Sequence, residues 1–204
     1  MEDHNKQEGH SHDPSKWADK LWRYYPIDYH PRNYHRLTSW WLDKIPLLGD
    51  RILEVGCWSS LALIWLKKEF PDKFVMGVDI NELVVHFAQT RVFFWEADVP
   101  IFCADGFNLK DFNDQEFDVI FHDGLAEHFG EEERVRLLKE HLRVAKNVLF
   151  TVPLACSLGK GGYGDELKIT EDGWESFTRK YFIVEETFKN EHSWGAIIVG
   201  VHDD

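Results

Sequence analysis

The sequence predicts a doubly wound α/β fold, with a mostly parallel seven-stranded sheet that ends in an antiparallel hairpin. Three observations predict it. From Arg51 onward short apolar runs alternate with longer helical patterns, the rhythm of βαβ units. The last two apolar runs are separated by only Lys189-Asn190-Glu191-His192, too short for a crossover and suited to a hairpin. Gly56, Asp79 and Asp105 each follow an apolar run, the places where an open parallel sheet holds a ligand.

The 204 residues suffice for one domain with a short extension. Residues 1–13 are polar and rich in His and acid, and read as a disordered tail. Asp13-Pro14-Ser15 offers a helix start, followed by Trp17, Leu21 and Trp22 at helical spacing. Two prolines make residues 24–31 a loop. A second helix is expected over 33–42, with Tyr34, Leu37, Trp40 and Trp41 as its apolar positions. Residues 14–49 thus form a helical lid or cap on a main domain spanning 50–204.

Within that domain, strands are expected over 52–55, 74–78, 101–103, 117–121 and 148–152. Helices are expected between them over 61–70, with Leu63, Leu66 and Phe70 on one face, and over 82–94 and 131–144. A short helix over 171–180 precedes the terminal strands at 182–188 and 194–201. Residues 158–165 carry Gly159, Gly161, Gly162 and Gly164 and offer a second lid.

Composition narrows the function. Against 36 acidic residues stand 23 Lys and Arg, a formal charge of −13 with no basic cluster, which disfavours a nucleic-acid substrate. No apolar run approaches the roughly 20 residues of a membrane span. Cys57, Cys103 and Cys156 stand far apart and form no CxxC pair, so buried thiols in a reducing, cytoplasmic setting are expected. His4, His10 and His12 lack the carboxylate or cysteine framework of a metal site, and none is expected.

The residues after each strand carry the chemistry. Gly56 lets the chain turn sharply, so that backbone N–H groups at the next helix start can meet a polar group. Asp79, 23 residues beyond Gly56, is placed to accept both ribose hydroxyls of an adenosine group, and Asp105 to accept from an adenine amine.

In these residues the chain resembles the class I S-adenosylmethionine-dependent methyltransferases, Rossmann-like enzymes, and especially their broad small-molecule group sometimes labelled type 11. The resemblance spans residues 51–201. It rests on Ile52-Leu53-Glu54-Val55-Gly56-Cys57, Val78-Asp79-Ile80, Ala104-Asp105-Gly106, Phe117-Asp118-Val119-Ile120 and Gly124-Leu125-Ala126-Glu127-His128-Phe129. It implies S-adenosylmethionine as cofactor, with Gly56 beside its methionine part, Asp79 on the ribose and Asp105 with Gly106 near the adenine. Glu54, Cys57, Trp58, Ile80 and His122 complete the expected cofactor contacts. The segment from Phe121 to Gly124 then lies beside the methyl group. One departure stands out: the family's turn carries glycines where this chain has Trp58 and Ser60. Trp58 fits only if its side chain points away from the cofactor or the turn has shifted.

Methyl transfer asks the protein to orient a nucleophile and, for a protonated acceptor, to remove a proton. His122 and Asp123 are the candidates for that work, although adjacent residues of a strand face opposite ways. The aromatic N-terminal section, with Tyr24, Tyr29 and Tyr34, is placed to touch cofactor or acceptor. The expected function is transfer of a methyl group to an O, N or S nucleophile of a small molecule. The alternatives are a non-catalytic protein of the same fold and a nicotinamide-dependent oxidoreductase. The hairpin and the lack of a GxGxxG turn count against the oxidoreductase.

Overall fold

A computed structural model describes residues 25–156 and 166–202. The expected tail, the helix around Trp17 and Trp22, and the glycine-rich lid lie outside the described residues.

The first described helix, α1 (Pro31–Leu42), starts on Pro31, where a missing N–H costs nothing, and His30 accepts the Arg32 N–H at 3.1 Å. A short 3₁₀ turn, Ile45–Leu47, leads to β1 (Arg51–Val55). There follow α2 (Leu61–Glu69), β2 (Phe74–Asp79), α3 (Glu82–Phe94) and β3 (Ile101–Cys103). β4 (Phe117–Asp123), a 3₁₀ turn at Ala126–His128, α4 (Glu131–Val144) and β5 (Ala145–Pro153) complete the parallel part. The chain closes with α5 (Glu171–Tyr181), β6 (Phe182–Lys189) and β7 (Ser193–Val201).

The seven strands lie in the order β3-β2-β1-β4-β5-β7-β6. The first five run parallel, and β7 is antiparallel to both β5 and β6. Chain order reverses beside β1, which has β2 on one side and β4 on the other. At such a switch point the connections leave in opposite directions and open a crevice at the carboxyl ends of the strands.

Two cores flank the sheet. On one side α1, α2 and α3 pack Trp41, Leu42, Leu61, Leu63 and Val92 against Ile52 and Phe121. On the other, α4 and α5 pack Leu138, Trp174 and Phe177 against Ile120, Phe150 and Ile198. The sequence expected α2 to bury one face. Instead every residue from Leu61 to Leu66 is buried, because α1 covers the face that the sheet leaves open. The helix α3 starts on an Asn81 cap, whose side chain accepts the N–H groups of Leu83 (3.0 Å) and Val84 (3.4 Å). The strand β4 runs two residues beyond its expected end, so His122 and Asp123 belong to the strand and pair with Phe150 and Thr151.

Candidate active site

The turn from β1 into α2 has three residues in left-handed backbone: Gly56 (φ +70°), Trp58 (φ +33°) and Ser60 (φ +55°). Glycine adopts this region freely, and other residues at a cost of about 1–2 kcal/mol each. The turn therefore keeps a glycine-type path where Trp58 and Ser60 stand. Its backbone is tied down at both ends, Cys57 N–H to the Val78 carbonyl at 3.0 Å and Ser60 N–H to the Cys57 carbonyl at 2.6 Å. The Trp58 ring goes toward the N-terminal section. It meets Tyr25 edge to face at 5.1 Å and packs with Ile27, Val84 and Phe87. Cys57 turns inward and is buried, so the turn offers its backbone rather than this thiol.

Asp79 ends β2 facing that turn. Its carboxylate accepts the Trp58 N–H at 3.2 Å and the Asn81 N–H at 3.0 Å. Burial pushes its pKa up, and these backbone donors pull it partly back. Ile80 beside it is 67% exposed, and its carbonyl accepts from the Cys103 thiol. Across the β3 end, the Ala104 N–H donates to the Asp79 carbonyl at 3.0 Å. Asp105 is exposed and caps the Phe107 N–H at 2.9 Å. At Gly106 a Cβ would lie 2.8 Å from the Val55 side chain, so the backbone there passes close to the end of β1.

Glu54 and Asp123 complete the crevice. Glu54 is buried, and its Oε2 has no hydrogen-bond partner. Its pKa is driven well above the usual carboxylate range by burial, then by repulsion from Asp123 and Asp79. Asp123, at the end of β4, accepts from the Tyr34 hydroxyl at 3.3 Å and from the Thr151 hydroxyl. Burial raises its pKa against the pull of these two donors. Tyr34 is raised well above its ordinary value, by burial and then by Asp123.

His122 lies on the other face of β4. It is fully buried, stacks on Phe150 (5.6 Å) and meets His141 edge to face at 5.5 Å. Burial, and then His141, hold its pKa well below the histidine range. Strand alternation thus separates the two candidates, and it is Asp123 that stands with Tyr34 and Glu54. His122, expected as base and cofactor contact, faces the core on the α4 and α5 side.

The sequence reading missed Thr151, which register sets beside Asp123, and Arg91. Arg91 is fully buried and donates to the carbonyls of Ser59 (2.7 Å), Pro26 (2.9 Å) and Tyr25. It ties the N-terminal section to the cofactor-type turn. Its signal was that it is the single Lys or Arg of α3.

Comparison with known proteins agrees with this geometry. Residues 52–147 match the family model described as a methyltransferase domain. A solved S-adenosylmethionine-dependent methyltransferase from Aquifex aeolicus superposes with a TM-score of 0.68 at 20% identity, covering 91% of this chain and 97% of that one. The magnesium protoporphyrin IX methyltransferase of Synechocystis PCC 6803, solved with bound S-adenosylhomocysteine, superposes at 0.65 with 15% identity, covering 91% and 93%. Both are likenesses of fold. A tRNA (guanine-N(7)-)-methyltransferase of Aedes aegypti is 34% identical over 71 residues, which is 33% of this chain and 26% of that enzyme. The chain therefore matches only about a quarter of that relative's length. Residues 52–147, a little under half of the chain, thus match a methyltransferase domain, and the fold around them is shared with S-adenosylmethionine-dependent methyltransferases.

Proposed function

We propose that this chain transfers the methyl group of S-adenosylmethionine to an O, N or S nucleophile of a small molecule held beside Asp123. The observation that carries the reading is the convergence of Glu54, Asp79 and Asp123 at the ends of β1, β2 and β4, around a left-handed turn. The cofactor is rich in donors and positive charge: an ammonium, a sulfonium and a ribose diol. The crevice offers what these need. Glu54 Oε2 is a buried acceptor without a partner and suits the ammonium. Asp79 retains acceptor capacity for the ribose hydroxyls, since a carboxylate has about four lone-pair sites. Ile80 gives an exposed apolar surface for the adenine, and Asp105 and Gly106 flank it.

When bound, the cofactor supplies an electrophilic methyl carbon. The protein's share is then to orient the nucleophile, exclude water and accept a proton. Asp123 is the proton acceptor in this reading, its position fixed by Tyr34 and Thr151. The aromatic section from Tyr25 to Tyr34 covers the acceptor side and limits water.

The net charge of −13 and the carboxylate-rich crevice support a small molecule over a polyanion. The tRNA enzyme matched above shares too little of its length to carry its substrate across. Of the three thiols expected to be buried only Cys57 is, while Cys103 and Cys156 are exposed; all three are free, which supports a cytoplasmic protein. A non-catalytic reading drew on Trp58, and the packing of its ring on Tyr25, Val84 and Phe87 weakens it.

Isothermal titration with S-adenosylhomocysteine tests the proposal. Binding by the wild type is expected, with Asp79→Ala at least about tenfold weaker because buried acceptors for the ribose are removed. No binding by the folded wild type, or an unchanged affinity in the variant, overturns this site.

A further inference from the structure

The chemical class of the acceptor is written in the charges around Asp123. Glu54, Asp79 and Asp123 form no ion pair with a lysine or arginine among the described residues; their partners are N–H and hydroxyl groups. Among the described residues, the guanidinium that reaches this region, on Arg91, directs its two terminal nitrogens to three backbone carbonyls. Carboxylates gathered this way, without cations to balance them, call for positive charge from a ligand.

The cofactor answers only part of that call. It brings a sulfonium and an ammonium against one carboxylate, a net single positive charge. Strand order sets Glu54 on β1 between Asp79 on β2 and Asp123 on β4, so Asp123 lies across Glu54 from the adenosine-side Asp79. Around Asp123 lie phenol rings. Tyr34 donates to it, and Tyr25 meets Tyr34 (6.1 Å), Tyr29 (5.1 Å) and Trp58 (5.1 Å), all edge to face. Aromatic rings beside a carboxylate favour an organic cation, through the ring quadrupole as well as the charge.

We infer that the methyl acceptor is an amine, bound as its ammonium with the nitrogen on Asp123 and its carbon skeleton against the Tyr25, Tyr29 and Tyr34 rings. An acceptor bearing a carboxylate or phosphate at that point meets Asp123 and Glu54 as like charges. The step balances as follows. The ammonium passes one proton to the Asp123 carboxylate, which frees the nitrogen lone pair. That pair forms the N–C bond as the C–S bond breaks, and the C–S electrons remain on sulfur. The product leaves as a methylated ammonium, and Asp123 returns its proton to solvent.

The inference rests on the methyl-transfer reading, and one experiment separates the two. The protein saturated with S-adenosylhomocysteine is titrated calorimetrically with phenethylamine, 4-ethylphenol and 3-phenylpropionate, three probes of similar skeleton and different head group. Phenethylamine is expected to bind at least tenfold more tightly than 3-phenylpropionate. Asp123→Asn is expected to reduce that advantage to under threefold. Tyr34→Phe, which keeps the ring and frees one carboxylate oxygen, should preserve it. Failure of S-adenosylhomocysteine itself to bind sinks the parent reading. If it binds while the amine shows no advantage, or none of the three probes binds, the amine assignment alone is overturned. An amine preference that persists undiminished in Asp123→Asn also overturns it.

Discussion

At Gly56 the backbone conformation, not the space, demands glycine. A Cβ there would meet Leu125 at 3.6 Å, an ordinary contact, but φ is +70°. At Gly77 the reasons reverse. The backbone is ordinary strand, while a Cβ would lie 2.5 Å from Leu63, 2.8 Å from Ile101 and 2.9 Å from Cys57. Gly56→Ala should therefore cost about 1–2 kcal/mol of unfolding free energy from backbone strain alone. Gly77→Ala should cost up to about 3 kcal/mol, because α2, β3 and the turn must all give way. Urea denaturation of the two variants checks the order. Trp58 and Ser60 carry the same left-handed strain without glycine's freedom, and Trp58 recovers part of it by packing on Tyr25 and Phe87. From the sequence Trp58 read as an obstacle; only the tertiary contacts reveal where its ring goes.

Among the elements, α3 joins the two halves of the site. Its Asn81 cap donates a backbone N–H to Asp79, and Arg91 two turns and more along reaches both Ser59 and the Tyr25-Pro26 carbonyls. The Arg91 guanidinium also lies 4.4 Å from the Phe87 ring, and burial lowers its pKa to about 10. Arg91→Met keeps the volume and removes the donors. It should cost on the order of 3 kcal/mol, since the buried Ser59 carbonyl and two partly buried ones lose a charged partner. It should also speed proteolytic cleavage between residues 25 and 30, followed by mass spectrometry. Unchanged cleavage would show that other contacts hold this section. The sequence located α3 to the residue, yet the role of Arg91 was hidden because its partners lie 32 and 65 or more positions away.

Over the whole molecule, two opposed groups of titratable side chains bear on acid stability. His122 and His141 are fully buried in the core, and burial brings His141 down to about 4 against a backbone hydrogen bond at Gly106. A histidine whose folded pKa lies below its unfolded value of about 6.5 binds more protons when unfolded. Its effect on stability is flat above that pH and increasingly unfavourable below it, until pH falls through the folded pKa. Glu54, Asp79 and Asp123 act the other way. Their pKa values are raised in the fold, so the stability they contribute at low pH is lost as pH rises. Comparing wild type with His141→Leu isolates one histidine from this balance. Between pH 7 and pH 5 the variant should lose about 2 kcal/mol less unfolding free energy than the wild type. Parallel pH dependence in the two proteins would show that His141 is not the acid-sensitive group.

The sequence by itself determined the order of elements, the parallel sheet with its antiparallel end, and the strand-end positions Gly56, Asp79 and Asp105. Those are local matters: hydrophobic period, cap residues, turn glycines and the length of the last connection. Tertiary structure decided which side chains meet. The strand β4 extends through Asp123, so alternation turns His122 into the core and leaves Asp123 beside Tyr34 and Thr151. The cover of α1 over α2 made a helix with one expected apolar face buried on all sides. The site's charges were legible one residue at a time, but their mutual repulsion was not, because it depends on distances between strand ends that no sequence spacing fixes.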